Sequence, residues 1–381
     1  MKKNALKTKL IVNLLKLTRF PVIKNNPEVK KWYRIPLEKC VSANGTKYHT
    51  SVKIGTENKL MILFYGGGVS WNQFMAARPI SVYGNPDSYG FYASDSDLLA
   101  DLTAKFGSYI LSDKEDNPFR NWNMIIIPYS SGDFHCGTGD YAYVDLEGKE
   151  QVLHHHGYKN YRWALQTAMK YMNNNPEEIL VTGFSAGGFG TALLTDDVMR
   201  TFPNCKSVTS YVDSGFMLYP GWHDAAKDVW KAPKEIVERI HSDNITLDCL
   251  QALKKEHGDR VRIAFSCSVR DSALAEYVDY VEKDRLFANK ESGIKFQDYL
   301  KRMCQQLIDT IPEVSIFIFD TLEEEEKKRA AGLTKHCISA FDKTMSEGIT
   351  AIQWLWDTVN SKPSHIGLSH LDKVQEGADR P

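Results

Sequence analysis

The segment EILVTGFSAGGFG, residues 178–190, decides the fold of this chain. It begins as a run of apolar and β-branched residues typical of a buried strand, and a helical pattern follows its glycines. The motif Gly-x-Ser-x-Gly at residues 183–187 lies at that junction, as it does in a nucleophile elbow. A serine on such a strained turn exposes its hydroxyl group, and glycines two positions away leave room for the backbone. The segment therefore predicts Ser185 as a nucleophile.

Strand and helix patterns alternate on both sides of this elbow. Further strands are predicted from short apolar runs at residues 59–65, 124–130, 207–213, 261–267 and 314–320. Apolar residues at helical spacing from Tyr161 to Met172 predict a helix before the elbow strand. This alternation favours an α/β fold with a mostly parallel central sheet and helices on both faces. Residues 215–258 exceed the length of one crossover helix, and we interpret them as a lid-type insertion.

Composition excludes several classes of protein. The 381 residues are 25% charged and 43% hydrophobic, which is ordinary for a globular protein and unlike a disordered chain. No apolar run is long enough to predict a membrane-spanning helix. The net charge of −1 offers no field that would attract nucleic acid, so no nucleic-acid partner is expected. We predict a basic segment at residues 1–31, a single α/β domain at residues 32–362 and a polar tail at residues 363–381.

The N-terminal segment differs in charge from the rest of the chain. Residues 1–31 contain nine Lys and Arg residues, whereas Glu28 is their only acidic residue. Polar residues interrupt the apolar stretch and no small-x-small cleavage site follows, so a signal peptide is not predicted. The odd number of cysteines, seven, without a Cys-x-x-Cys pair is typical of reduced, buried thiols. We therefore expect a cytoplasmic protein. Its residues 1–25 either make a weak contact with an anionic membrane surface or with the acidic remainder of the chain, or they form a disordered tail. The oligomeric state is left open.

A second glycine-rich segment, FYGGGVSWN at residues 64–72, follows the strand at residues 59–65. A tetrahedral oxyanion needs two backbone N–H donors, and the residue after the nucleophile, Ala186, supplies one of them. Glycines without a Cβ atom let further amides approach a ligand. Gly67 and Gly68 are therefore predicted to complete an oxyanion hole with Ala186, and a plain β-turn is the alternative.

Ser185 needs a general base, and that base needs a carboxylate to orient it, both further along the chain. Of the four histidines after residue 250, His336 follows the last predicted strand, where the base is expected. The other three lie in a turn before a strand or in the polar tail. Asp271, just past the preceding strand, is the preferred carboxylate. Asp213 and Asp320, which also end strands, remain alternatives.

Three consecutive histidines, His154, His155 and His156, suggest a metal cluster at first sight. Adjacent residues of a strand point to opposite sides, so at most two of them converge, and no HExxH or Cys-x-x-Cys partner accompanies them. We therefore expect no metal site here and no cofactor.

The loop YSSGDFHCGTGD at residues 129–140 follows a strand, so it should emerge at the same edge of the sheet as Ser185. Its polar and glycine-rich composition suits hydroxylated ligands, and Trp71 offers a ring that could stack on a sugar. Trp71 and Asp133 are therefore candidate substrate contacts at the mouth of the site, together with the insertion at residues 215–258. An ordinary surface loop is the alternative.

Taken in order, these motifs resemble those of the pectin acetylesterase family over roughly residues 40–340. The resemblance is carried by the three glycines with Trp71, NPFRNWN at 117–123, CGTGD at 136–140, GFSAGG at 183–188 and VDSG at 212–215. It implies an α/β-hydrolase-like fold and ester hydrolysis by a triad of Ser185, Asp271 and His336. It also places Asp213 near the substrate but outside the triad.

The chain departs from that family, whose members are typically secreted and rich in disulfides, because neither a signal peptide nor a disulfide framework is predicted here. In addition, Val69, Ser70 and Trp71 stand where those members typically have Trp-Cys-Trp. We expect a serine carboxylesterase that forms an acyl-enzyme and releases a short acyl group from a carbohydrate or polyol, with acetyl as the preferred group. Two alternatives stay open. The first is another serine hydrolase, such as a thioesterase, a lipase-like enzyme or a peptidase, and the second is a non-catalytic binding protein on the same fold.

Overall fold

A nine-stranded sheet forms the centre of the protein, and every predicted strand belongs to it. The computed structural model describes residues 19–80, 90–95, 97–107, 109–283, 286–338 and 344–373. In chain order the strands are β1 (Trp32–Val41), β2 (Lys47–Lys53), β3 (Lys59–Phe64), β4 (Asn123–Ile127), β5 (Glu178–Phe184), β6 (Val208–Asp213), β7 (Val261–Ser268), β8 (Ser315–Phe319) and β9 (His365–Ile366). The predicted strands correspond to β3 through β8, with small differences at their ends.

The strands are ordered β1-β2-β4-β3-β5-β6-β7-β8-β9 across the sheet. Antiparallel pairing is confined to the edge formed by β1, β2 and β4. All other neighbours pair in parallel. The prediction of a mostly parallel α/β sheet is confirmed. Because parallel strands end at a common edge, the loops that follow β3 to β8 meet there.

Helices pack around this sheet. The longer ones are α1 (Asp97–Lys105), α2 (Gly157–Ala168), α3 (Ala186–Thr201), α4 (Ile245–His257), α5 (Ser272–Lys283), α6 (Lys290–Thr310) and α7 (Ala351–Val359). Short helical turns occupy Gln73–Ala76, Tyr109–Leu111, Met169–Tyr171, Trp222–Asp224, Ala225–Val229, Lys234–Val237, Gly258–Arg260, Glu326–Ala330 and Leu368–Asp372. The predicted apolar stripe of α2 is buried, since Tyr161, Ala164, Leu165 and Ala168 are at most 2% exposed.

Three two-stranded sheets lie within the loops that the structure describes. Gly139–Val144 and Glu150–His155 form an antiparallel hairpin, which we call the histidine hairpin. Two shorter pairs join Pro79–Ile80 to Tyr92–Ala93 and Met345–Ser346 to Ile349–Thr350.

The segment interpreted as an insertion, residues 215–258, is packed against the loops at the carboxyl edge. The rings of Trp222 and Trp230 are completely buried. The indole N–H of Trp230 donates to the carbonyl oxygen of Ser70 at 2.8 Å, and its own carbonyl accepts from the N–H of Thr138 at 2.9 Å. These bonds attach the insertion to the loops that follow β3 and β4.

Both ends of the described chain contact the sheet. Most of the basic segment lies outside the described residues, but Phe20 stacks on Trp32 and the N–H of Ile23 donates to the carbonyl of Arg34. His365–Ile366, which the sequence places in a polar tail, pairs in parallel with β8. Within the described residues no helix is both long and apolar enough to cross a bilayer. All seven cysteines are buried, as the sequence predicts, and no disulfide joins them in this structure.

Candidate active site

Ser185 lies on the turn between β5 and α3, with φ +55° and ψ −126°. This left-handed φ is unfavourable for a residue with a side chain, so the surrounding structure must impose it. The backbone N–H of Ser185 donates to the carbonyl oxygen of Asp213 at 2.9 Å, which fixes the turn against the end of β6. The turn has the geometry that the motif predicts.

Close packing explains the two glycines of the elbow. A Cβ atom on Gly187 would overlap the carbonyl oxygen of Phe64, the last residue of β3. A Cβ atom on Gly183 would in turn overlap the carbonyl of Gly187. The start of α3 therefore packs directly on the ends of β3 and β5, and any larger residue would displace the serine.

The three-glycine loop lies against this elbow. A Cβ atom on Gly66 would stand 2.9 Å from the Cβ of Ser185. The loop is held on its far side, because the carbonyl of Gly67 accepts from the N–H of Ala93 at 2.7 Å and Val69 donates to Phe91.

The three-glycine loop and the first residue of α3 carry backbone N–H groups without a partner in the described part of the chain. Among the described residues, no hydrogen bond engages the N–H groups of Gly67, Gly68 or Ala186. Such donors are suited to an oxyanion, whose negative charge also benefits from the N-terminus of α3.

His336 is paired with Asp271. The imidazole Nδ1 stands 2.7 Å from Oδ2 of Asp271, whose side chain is completely buried. The other carboxylate oxygen, Oδ1, accepts from the N–H groups of Ala273 and Leu274 in the first turn of α5, so the aspartate cannot rotate freely. With Nδ1 directed at the carboxylate, the other ring nitrogen, Nε2, is left to accept a proton.

The electrostatics of His336 follow from this pair. Burial disfavours the imidazolium, but the charge of Asp271 and its hydrogen bond outweigh burial, with smaller help from Asp213 and Glu276. The pKa of His336 is therefore raised above the ordinary 6.5.

Asp213 joins the elbow to the histidine loop. Its carboxylate Oδ2 accepts from the N–H of Ile338, two residues after His336, at 2.9 Å. Its carbonyl oxygen holds Ser185, as described above, and Ser266 donates to Oδ1 at 3.0 Å. The side chain is 0% exposed, so it does not face a ligand as the resemblance implies. Asp213 positions the two loops instead, and the third candidate carboxylate, Asp320, is exposed.

Asp133 is also placed differently from the expectation. It is completely buried, and its carboxylate accepts from Ser131 Oγ and from the N–H groups of His135, Gly137 and Gly157. Burial outweighs these bonds and raises its pKa to about 6. Residues 131–137 are buried with it, so this loop is part of the interior and not a polar mouth.

Trp71 is not presented to a ligand either. Its side chain is 6% exposed, and its ring stacks on Tyr219 with centroids 4.6 Å apart. Trp222, Tyr277 and Tyr280 surround the same ring. Burial of a large aromatic surface explains this placement. Trp71 therefore packs the insertion and α5 against the three-glycine loop.

The histidine hairpin brings two of the three histidines together. His155 is buried with Nδ1 2.7 Å from the carbonyl of Ser131, whereas His154 and His156 point to the opposite side. Oδ1 of Asp140 stands 2.7 Å from His154 Nδ1 and 2.9 Å from His156 Nε2. Two histidines converge, as the sequence predicts, and their third neighbour Asp140 comes from the facing strand and not from an HExxH or Cys-x-x-Cys motif. Only the strand pairing, which the sequence does not reveal, identifies it.

Comparison with known proteins agrees with the resemblance seen in the sequence. The family model described as "PAE: Pectinacetylesterase" matches residues 48–258, more than half of the chain. This range contains the three-glycine loop and the elbow but ends before Asp271 and His336.

Two curated relatives from Arabidopsis thaliana match shorter stretches. Pectin acetylesterase 4 is 25% identical over 179 residues, which is 46% of this chain and 40% of the relative. Pectin acetylesterase 11 is 31% identical over 121 residues, which is 31% of this chain and 30% of the relative. The aligned regions thus span less than half the length of these relatives.

The buried bonds of Asp133 predict the effect of Asp133→Asn. An asparagine would turn an NH2 group toward backbone N–H donors, leaving buried donors without an acceptor. We expect the free energy of unfolding to fall by about 1–3 kcal/mol, measured by urea denaturation. Asp320→Asn, at an exposed aspartate, is the matched control and should change it little. Equal stabilities for the two variants would contradict this role of Asp133.

Proposed function

The chain belongs to the pectinacetylesterase family, and from this premise we propose that it is a serine carboxylesterase. In this proposal it removes a short acyl group from a carbohydrate or polyol ester, and acetyl is the preferred group. One observation carries the proposal: Asp213 holds both the N–H of Ser185 and the loop of His336, whose imidazole is paired with Asp271. A strained serine, an oriented imidazole and a buried carboxylate are thereby gathered at one edge of the sheet.

The reaction follows from the roles that these groups can take. Oγ of Ser185 attacks the ester carbonyl while Nε2 of His336 accepts its proton, and the buried carboxylate of Asp271 stabilises the imidazolium. The unused N–H groups of Gly67, Gly68 and Ala186 are the proposed donors to the oxyanion. His336 then protonates the departing alcohol, which leaves an acyl-enzyme. Water, activated by the same imidazole, releases the acid and restores Ser185.

The relatives support a short acyl group. Both named relatives are pectin acetylesterases, which act on an acetyl ester.

Ser185→Ala tests the nucleophile. We expect hydrolysis of a small aryl acetate to fall by about a thousandfold or more, with an unchanged thermal melting curve. Ser207→Ala, a hydroxyl at the amino end of β6, is the control and should keep wild-type turnover. Activity of Ser185→Ala above about a tenth of wild type would exclude Ser185 as the nucleophile.

A substrate panel tests the acyl group and separates the alternatives. We expect kcat/KM to be highest for acetyl esters and to decrease as the acyl chain lengthens to eight carbons. Faster turnover of long acyl esters would favour a lipase-like enzyme, and faster turnover of thioesters or peptides would favour those hydrolase classes. Binding of acetylated oligosaccharide without turnover would identify a non-catalytic protein.

Replacing each of three aspartates by asparagine tests which carboxylate orients His336. Asp271→Asn should lower kcat by about 10³–10⁴-fold, because the imidazole loses the acceptor that fixes its tautomer. Asp213→Asn should cost less, about tenfold to a hundredfold, because it displaces the loop of His336 without removing its partner. Asp320→Asn should stay within about twofold of wild type. If Asp213→Asn proves the most damaged, Asp213 is the acid and this assignment fails.

The dependence of kcat/KM on pH tests His336 as the general base. His336 must be neutral to accept a proton, so kcat/KM for an uncharged acetate should fall as the pH drops through the pKa of His336. Because Asp271 raises that pKa, the midpoint should lie above 6.5. In Asp271→Asn the residual activity should have a lower midpoint, since burial then acts without the compensating charge. Identical midpoints in the two proteins would argue against the pairing.

A further inference from the structure

The histidine hairpin carries a group of side chains that the ester chemistry does not use. Asp140, His154 and His156 offer one carboxylate oxygen and two imidazole nitrogens, all within 4.8 Å of one another. We propose that these three residues bind a zinc ion that clamps the hairpin to the start of α2. This site is separate from the proposed reaction of Ser185.

Strand geometry explains why the three side chains converge. His154 and His156 are two positions apart, so their side chains leave the strand on the same side. The intervening His155 is completely buried and bonded to Ser131, so the side chains of its two neighbours point away from the interior. Asp140 stands directly opposite His154 in the antiparallel pair, where the two side chains share one face.

The distances fit a metal site after a small expansion. Oδ1 of Asp140 is 2.7 Å from Nδ1 of His154 and 2.9 Å from Nε2 of His156. Ligand atoms at zinc bond lengths are about 3.3 Å apart in a tetrahedral site. Each imidazole nitrogen therefore needs to move away from this oxygen by only about half an ångström, and the partly exposed imidazoles allow this. The two nitrogens themselves lie within 4.8 Å of each other.

The donor set matches the chemistry of zinc. Two neutral imidazoles and one carboxylate are a common ligand set for this ion, which then takes water or another ligand in the fourth position. The backbone supports His154, whose N–H donates to the carbonyl of Ala43 at 3.0 Å, and His156 immediately precedes the first residue of α2. An ion at this point would join the hairpin strands, the turn at Ala43 and the helix.

A second cluster of similar residues serves as a contrast. Asp196, Glu256 and His257 also lie close together. There, however, the guanidinium of Arg239 is 2.7 Å from Asp196 and 2.6 Å from Glu256, and Arg200 contacts Asp196 as well. Two arginines thus already neutralise those carboxylates, and a cation has no place among them.

One lysine competes with a metal at the proposed site. Nζ of Lys159 is 3.4 Å from Nε2 of His156, the nitrogen that would bind zinc. Lys159 is exposed, so its ammonium group can swing into solvent. Lys231 is also near, but its Nζ contacts the carbonyl oxygen of Asp140 and not the carboxylate. Removal of Lys159 should therefore strengthen zinc binding.

Zinc titration of the full-length chain without an affinity tag tests the proposal. After treatment with a chelator and its removal, isothermal titration with zinc chloride should show about one bound ion per chain. Dialysed protein should retain that ion, as measured by elemental mass spectrometry. Binding should be lost in Asp140→Asn and in His154→Ala/His156→Ala, and it should tighten in Lys159→Ala.

The control is His223→Ala/His241→Ala, which removes two exposed histidines outside the cluster and should bind zinc as the wild type does. Circular dichroism and melting curves show whether each variant is folded, and Asp140→Asn keeps the shape of the site if the double variant unfolds. Zinc should raise the melting temperature of the wild type but not that of Asp140→Asn. Chelation should leave acetate hydrolysis unchanged.

Three results would overturn the proposal: no zinc retained by the wild type, equal retention by the folded cluster variants, or equal loss in the control. Loss of hydrolysis on chelation, restored by zinc, would overturn the separation of this site from the reaction of Ser185.

Discussion

The hydrogen bonds of Asp213 are the constraint on which the candidate active site depends. Its carbonyl oxygen accepts from Ser185 and its carboxylate accepts from Ile338, so one residue sets the distance between two loops far apart in sequence. A buried carboxylate is costly unless its oxygens are bonded, and here Ser266 and Ile338 satisfy them. The bonds that make this burial tolerable are the same bonds that align the elbow with the histidine loop.

Three residues around this link have unfavourable backbone conformations. Ser185, Ser214 and Cys337 all have positive φ angles, although none is a glycine. Ser185 is in the elbow, Ser214 follows Asp213 directly, and Cys337 is in the histidine loop. Strain of this kind persists only where neighbouring contacts over-determine the conformation. The close packing of Gly187 on β3 and the capping of α5 by Asp271 provide such contacts.

Local sequence patterns predicted the elbow and the parallel strands, and chain order favoured Asp271 over Asp213 and Asp320 as the partner of His336. Each depends on a short motif or on chain order, and both are visible in the sequence. The outer strands β1, β2 and β9 were not predicted, because their pairing depends on partners chosen in three dimensions. The same limit explains Asp133 and Trp71: a polar loop and a tryptophan look available for ligands until the fold buries them. Asp140 was missed because its partners lie on another strand.

The topology of the sheet also governs how the protein folds. Neighbouring strands β3 and β5 are separated in sequence by β4, the histidine hairpin and α2, yet they pair along their whole length. Such contacts close long loops and are slow to form. Ser185 acquires its environment only after these distant segments have met, so the proposed catalytic site would form late in folding. A chain that ends before β8 lacks His336 altogether, and in the proposed mechanism the hydroxyl group of Ser185 would then have no general base.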